Sequence, residues 1–285
     1  MATASRRPDG LPAHLDVEET LVMGVLNVTP DSFSDGGEHD DAPAAVAHGR
    51  RLVAQGAAIV DVGGESTRPG APRVDEEEEL RRVLPVVSAL AADDVVVSVD
   101  TMRATVAAAS IEAGALIVND VSAGRADVDM GREAARLRTR LGTPPVFIAM
   151  HWRGHSDVMN ELAVYEDVAR DSAAELAERL DALREAGVED RFLAVDPGLG
   201  FSKTGEQNWD VLGDWEALAS HRLPILVGAS RKRFVGALGV DRDQATAAIS
   251  AYSAEHGAWA VRGHEVPPSL AAVRVGHRLR RSVRR

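Results

Sequence analysis

Short continuous apolar runs recur along the chain, each bounded by turn residues and followed by a longer segment with helical spacing. There are eight: LVMGVLNV (21–28), AAIVDVGG (57–64), VVVSVD (95–100), ALIVND (115–120), PVFIAMH (145–151), FLAVDPG (192–198), PILVGAS (224–230) and WAVRGH (259–264). Their apolar residues are consecutive rather than alternating, which is how strands read when both faces are covered. The spacing between them predicts helices over 42–55, 75–91, 103–113, 127–141, about 163–186, 207–219, 243–256 and 267–281. Several of these end in glycine, as in QGAA, EAGA and EAGVED, where a left-handed residue closes the last turn. Asp75 followed by four Glu reads as a solvated first turn whose charge offsets the helix dipole.

Eight strand-then-helix units predict an α/β fold, a (β/α)8 TIM barrel in a single domain over 20–285, with its active site at the C-terminal ends of the strands. Residues 1–19 read as a flexible N-terminal lead-in. A doubly wound sheet is the rival, and it would announce a cofactor with a glycine fingerprint after the first strand. NVTPDSFSDGG has no such pattern, and GLGFSK at 198–203 follows the sixth run and has Lys where the last Gly belongs.

Composition narrows the function classes. The chain has 285 residues, 45% of them hydrophobic, enough for one large core. A formal charge of −12 argues against general nucleic-acid binding and leaves room for a local cationic pocket that holds a small anion. The absence of cysteine excludes disulfides, thiolate metal sites and Cys nucleophiles, and favours an intracellular, cytoplasmic setting. No apolar run approaches the roughly 18 residues of a membrane span, so no membrane association is expected. The Arg-rich end, HRLRRSVRR, suits the C-terminus of a helix.

In a closed parallel barrel the residues that end each strand share one mouth. Here they are Asn27; Asp61 and the loop from Gly64 to Gly70; Asp100; Asn119 and Asp120; His151; Asp196; Ser230, Arg231 and Lys232; and Arg262 with His264. Any one of them could be a turn or cap residue. Convergence of two or three carboxylates, two amides and at least three cations is harder to explain structurally. Lys232, Arg262, His264 and Arg68 suit a phosphorylated or diphosphorylated group. Asp100, Asp196 and Asn119 suit a ligand edge rich in N–H donors. Together they suggest a flat heterocycle carrying a diphosphate. His151 and His155 have a spacing a zinc helix would use, but His151 ends a strand and Gly154 interrupts helical character, so zinc is not expected.

The stretches MGVLNVTPDSFSDGG, DVGGESTRPGA, SVDT, NDVS, DPGLGF, GASRKRF and VRGH together resemble the dihydropteroate synthase family, in its order, from about residue 22 to 275. MHWR and HGAWAVR lean toward actinobacterial members. The resemblance implies a transferase of folate biosynthesis that joins 4-aminobenzoate to (7,8-dihydropterin-6-yl)methyl diphosphate, releasing diphosphate and 7,8-dihydropteroate. It implies that Asp100, Asn119, Met150, Asp196, Phe201, Gly228 and Lys232 hold the pterin, and that Asn27, Thr67, Arg262 and His264 hold the diphosphate. It implies Mg2+ on Asn27, and an aminobenzoate pocket of Phe33, Ser66, Thr67, Arg68, Pro69, Ser230 and Arg231. Asp100, Asp196, Lys232 and Arg262 are the expected catalytic groups, a homodimer is the expected assembly, and sulfonamides are expected to compete with aminobenzoate. Ala123 stands where many relatives have Gly and touches no assigned role.

The chemistry agrees with these residues. Breaking the pterin CH2–O bond needs charge stabilisation on the leaving oxygens, and the electron-poor carbon left behind calls for carboxylates. An aromatic amine is already a nucleophile, so an SN1-like displacement without a strong general base is expected. The loop after the first strand is expected to be a lid that presents Phe33 to aminobenzoate. Two alternatives share the scaffold, a methyltetrahydrofolate-dependent methyltransferase and a catalytically idle pterin-binding relative.

Overall fold

The computed structural model describes residues 7–29, 41–65, 74–155 and 161–283. Eight strands form one parallel sheet: β1 (Leu21–Asn27), β2 (Ile59–Gly63), β3 (Val97–Asp100), β4 (Ile117–Asp120), β5 (Val146–Met150), β6 (Leu193–Asp196), β7 (Leu226–Val227) and β8 (Ala260–Gly263). They run in the order β6-β5-β4-β3-β2-β1-β8-β7. A parallel bridge between Val195 and Ile225 joins the two ends, with Val195 N–H donating to the Pro224 carbonyl at 2.8 Å. The ring is a (β/α)8 barrel, and each predicted strand lies within its apolar run.

The helices between them are α1 (Asp41–Ala54), α2 (Glu76–Ala92), α3 (Ala104–Glu112), α4 (Met130–Arg136), α5 (Val168–Glu185), α6 (Gly205–Gly213), α7 (Trp215–Ala219), α8 (Arg233–Gly236), α9 (Arg242–His256) and α10 (Val266–Val283). Gly56, Gly114 and Gly187 have φ of 104°, 112° and 102°, the left-handed closure their sequence context predicts.

Two predicted helices are cut by local bonding. The segment expected over 127–141 is helical only through Arg136, because Leu137 is extended and Thr139 turns back to bond the Thr143 carbonyl at 2.8 Å. Asp127 precedes α4 and accepts the Ala104 amide at the start of α3, at 2.8 Å. The segment expected over 207–219 breaks at Asp214, whose carboxylate caps α7 through the Ala217 amide at 3.1 Å. The short helix α8 lies in a stretch where the apolar spacing predicts none.

The acidic start of α2 is only partly the solvated turn its composition suggests. Asp75 is the N-cap, accepting the Glu78 amide at 2.8 Å, but Glu79 is buried and ion-pairs with Arg103. Arg103 also bonds Glu65 at 2.9 Å and the Val74 carbonyl at 2.5 Å, so it ties the two ends of the β2–α2 connection together.

Apolar packing occupies three regions. Val, Leu, Ala and Ile on the outward strand faces pack against the helices as the largest cluster. Inside the barrel Met23, Ile59, Ile117, Ile148, Ala194 and Ala260 make a second cluster. A third cluster at the mouth contains Val121, Met150, Trp152 and Phe201. From Arg7 onward, the lead-in expected to be flexible lies against the base of the barrel: Leu15 is buried in the interior cluster, and the Asp9 amide bonds the Arg191 carbonyl at 2.6 Å.

Candidate active site

Strand alternation explains how one mouth collects its chemistry. Side chains two residues apart face the same way, so the residue two positions past an interior apolar side chain points into the barrel near its C-terminal end. That rule carries Ile59 to Asp61, Ile117 to Asn119, Ile148 to Met150, Ala194 to Asp196, Leu226 to Gly228 and Ala260 to Arg262, and on β3 the buried Ser98 takes the apolar position two residues before Asp100. Asp100 pairs in register with Asn119, and Met150 with Asp196.

Arg262 is the hub. Its Nε donates to Asp61 Oδ2 at 2.6 Å and its Nη2 to Asp100 Oδ2 at 2.8 Å. Asn119 Nδ2 donates to the same Asp61 oxygen at 3.1 Å. Asp196 Oδ1 accepts the Gly198 amide at 2.7 Å. A Cβ placed on Gly228 would lie 3.6 Å from Asp196 Oδ2 and 3.9 Å from the Arg262 Cβ, so this glycine keeps the floor between them open. Lys232 Nζ sits 4.1 Å from the centre of the Phe201 ring, a cation–π contact.

Burial sets the electrostatics. It pushes the Asp100 carboxyl up to about 7, with Arg262 opposing the rise and Asp61 adding to it. Asp196 is raised for the same reason, against the Gly198 hydrogen bond and Lys232. Burial and the nearby Arg262 bring Lys232 down to about 8, with Asp196 and Asp100 opposing. Arg262 stays a firm cation: burial works against it, and Asp61 and Asp100 outweigh that penalty. Such opposed shifts in one cavity are typical of functional sites.

The sequence-predicted residues divide in three. Asp100, Asn119, Met150, Asp196, Phe201, Gly228, Lys232 and Arg262 come together as expected. Asn27 joins them from β1: a Cβ on Gly63 would lie 3.4 Å from the Asp100 Cβ and 3.8 Å from Asn27 Oδ1. Ser230 and His264 pair with each other, Ser230 Oγ to His264 Nδ1 at 3.0 Å, whereas Arg231 is half-exposed and turned to Glu265 at 2.7 Å. Phe33, Ser66, Thr67, Arg68 and Pro69 lie outside the described residues.

Two strand-end residues do other work. Asp120 accepts bonds from the Ser122 amide and hydroxyl and from the Gly124 amide, at 2.8, 2.7 and 2.6 Å, so it shapes its own loop instead of the mouth. His151 is buried between Lys203 and Glu175. Asp61 had no assigned role from sequence; its position two residues after Ile59 was the available signal. Lys203 is the other omission, and in sequence it reads only as a departure from a glycine motif. Among the described residues no group of three or more His, Cys, Asp or Glu could hold a metal ion. Asn27 would offer a metal an amide oxygen, a donor that suits Mg2+ and not zinc.

Comparison with known proteins agrees with this geometry. The family described as pterin binding enzyme matches residues 23–264. Dihydropteroate synthase of Mycobacterium leprae (strain TN) is 51% identical over 265 residues, covering 89% of this chain and 91% of the relative. Among solved structures, Xanthomonas albilineans dihydropteroate synthase with 4-aminobenzoic acid superposes with a TM-score of 0.83 at 40% identity, over 93% of this chain and 94% of that one. The Yersinia pestis enzyme in a sulfonamide drug complex gives 0.84 at 37% identity, over 96% and 98%. This chain belongs to the pterin binding enzyme family and, within it, to the dihydropteroate synthases, which are transferases.

Proposed function

We propose that this chain condenses 4-aminobenzoate with (7,8-dihydropterin-6-yl)methyl diphosphate, giving 7,8-dihydropteroate and diphosphate for tetrahydrofolate biosynthesis. The observation that carries this reading is one mouth in which the buried carboxylates of Asp100 and Asp196 stand with two cations, Lys232 and Arg262, the latter bonded to Asp100 itself. Oδ1 of Asp100 and Oδ2 of Asp196 are not used by the bonds described above, and both suit the N–H edge of a pterin. Asn119 adds an amide to that edge, and Met150 and Phe201 supply apolar walls for a flat ring.

Reaction begins with loss of the CH2–O bond, the electron pair leaving with the diphosphate. Arg262 and Lys232 stabilise the growing negative charge. Mg2+ held by Asn27, when bound, supplies further charge against the diphosphate oxygens. The electron-poor methylene carbon is delocalised into the dihydropterin ring and stabilised by the carboxylates of Asp100 and Asp196. The neutral amine then forms the C–N bond and gives its proton to solvent, which requires positioning more than a general base. Ser230, paired with His264, is assigned to the aminobenzoate side.

Sulfonamides are proposed to compete with aminobenzoate, as the Yersinia pestis complex suggests for that relative. A homodimer is proposed from the apolar residues Tyr252, Val275 and Leu279 that α9 and α10 leave exposed, and a monomer in sedimentation velocity would overturn it. A cytoplasmic enzyme with neither a nucleic-acid nor a membrane partner is proposed, the acidic net charge arguing against nucleic acid; among the described residues no helix is long and apolar enough to cross a membrane.

The deciding experiment follows diphosphate release with each substrate and Mg2+ omitted in turn. Release that needs all three supports the proposal. Methyl transfer from a methyltetrahydrofolate without diphosphate release selects the methyltransferase reading, and pterin binding with no turnover selects the idle relative.

A further inference from the structure

Outside the residues assigned so far, Lys203, His151, Glu175 and Arg153 form a continuous chain of bonded polar groups. Lys203 and His151 are 7% and 2% exposed, so neither spends its hydrogen bonds on water. Lys203 Nζ has three acceptors: His151 Nδ1 at 2.8 Å, the Gly198 carbonyl at 3.2 Å and the Phe201 carbonyl at 3.3 Å. An ammonium has three donors, so the count closes with Lys203 protonated, the form it holds below about 7, where burial brings its pKa. His151 Nδ1 must then accept, and its proton sits on Nε2, which donates to Glu175 Oε2 at 3.0 Å. Glu175 is held in turn by Arg153, whose Nε lies 2.9 Å from Oε2. The Arg153 and His151 bonds to Glu175 outweigh its burial and keep it ionised, at about 2, while burial and Lys203 bring His151 down to about 4, in keeping with the neutral ring.

What Lys203 holds is the loop that walls the heterocycle slot. Gly198 and Gly200 have φ of 68° and 77°, and neither leaves room for a side chain. A Cβ on Gly198 would fall 2.2 Å from the His151 carbonyl oxygen, and one on Gly200 2.8 Å from Lys232 Cδ. The turn is pinned at both ends, by Gly198 N–H on Asp196 and by Gly200 N–H on Asn208 Oδ1 at 2.6 Å. The carbonyls of Gly198 and, just past the second pin, Phe201 point at Lys203. Phe201 then presents its ring beneath Lys232, and the His151 amide bonds the Asp196 carbonyl at 3.0 Å.

We infer that Lys203, oriented by His151, is the positioning residue that sets the Phe201 wall of the slot for the flat, N–H-rich ring, and so acts on pterin binding and not on the aminobenzoate side. Its ammonium touches no reacting atom; it acts through two backbone carbonyls. The assignment rests on the proposed dihydropteroate synthase reading.

Lys203→Met keeps the length of the side chain and removes all three donors. In steady-state assays of the full chain it is expected to raise the KM for the pterin diphosphate about tenfold and to leave the KM for aminobenzoate within about threefold. Titration of a pterin without aminobenzoate, followed by fluorescence, should weaken by the same factor. A merely structural lysine would lower the active fraction, reducing kcat with both KM values unchanged, and that result overturns the inference. Equal increases in both KM values also overturn it. Should Lys203→Met not fold, His151→Gln, which changes the acceptor but keeps Lys203, takes its place and is expected to move the pterin KM alone, by about threefold. An unchanged pterin KM in that variant overturns the inference. Loss of diphosphate release in the unsubstituted protein would sink the functional reading, while the pterin titration would still test Lys203.

Discussion

Asp61 is the residue whose importance grew most once neighbours were known. One of its oxygens takes both Arg262 Nε and Asn119 Nδ2, and its other oxygen is buried with no partner among the described residues. Asp61 therefore aims the guanidinium so that Nη2 reaches Asp100. Asp61→Asn keeps the volume and removes the charge that fixes Arg262. It is expected to lower kcat/KM at least about tenfold, or about 1.4 kcal/mol, and Asp100→Asn should cost more because that carboxylate faces the substrate. Asp210, exposed on α6, is the control: Asp210→Asn should leave kcat/KM unchanged, and a loss equal to that of the other two would sink the assignment.

The same residues predict how stability varies with pH. Lys203 and Lys232 are brought down by burial from 10.5 to about 7 and about 8, so between those values and 10.5 the unfolded chain binds more protons than the folded one. Stability contributed by these groups rises with pH across that window. Asp100 is raised from 3.8 to about 7, so the folded chain binds more protons there, and its contribution falls as pH rises from about 4 to 7. The site is therefore most costly to fold near neutrality. Urea midpoints measured from pH 7 to 10 should rise for the parent chain and rise less for Lys203→Met; identical slopes would contradict the placement of a buried ammonium.

At the scale of elements, the start of α2 shows where composition and structure part. Asp75 and Glu78 behave as their position predicts, as cap and as surface partner of Arg81 and Arg82. Glu79 belongs to the same charged run, but one turn further the helix faces the barrel. There it neutralises Arg103, which also holds Glu65 and the Val74 carbonyl. Asp75→Ala is expected to cost about 1 kcal/mol, the usual price of a lost cap. Glu79→Ala removes one of the two carboxylates on a largely buried guanidinium, leaving Glu65, and should cost on the order of 2 kcal/mol. Denaturant unfolding of the two variants separates the cases, and equal costs would mean Glu79 is solvated after all. The shortening of α4 has the same origin: the apolar spacing continued past Arg136, but the Thr139–Thr143 turn supplied a better partner for the backbone than another helical turn.

At the scale of the whole molecule, the barrel has a chemical end and a structural end. Polar residues crowd the C-terminal mouth, while Leu15 and the partly buried Leu11 pack with Leu21 and Trp259 at the opposite end. Leu15→Ala should cost about 2 kcal/mol or more and leave both KM values unchanged, because nothing links that plug to the mouth except the barrel itself. A changed KM would show that the two ends are coupled.

The sequence by itself determined the strand-and-helix alternation, and with it the barrel, because strands covered on both faces must be apolar throughout and their ends must then be polar. It also located most of the residues that the mouth brings together, since Asp100, Asn119, Asp196, Lys232 and Arg262 sit at strand ends within recognisable stretches. Only the tertiary structure decided which of those polar ends face one another. Asp61 and Asp120 read alike as strand-end aspartates, yet one aims Arg262 and the other bonds its own loop. Glu175 on α5 and Lys203 after β6 are 28 residues apart in sequence and meet through His151 only because the barrel brings β5, β6 and α5 together. A sequence carries local preference and periodicity; burial, and the partner that makes a buried charge tolerable, exist only once the chain has closed on itself.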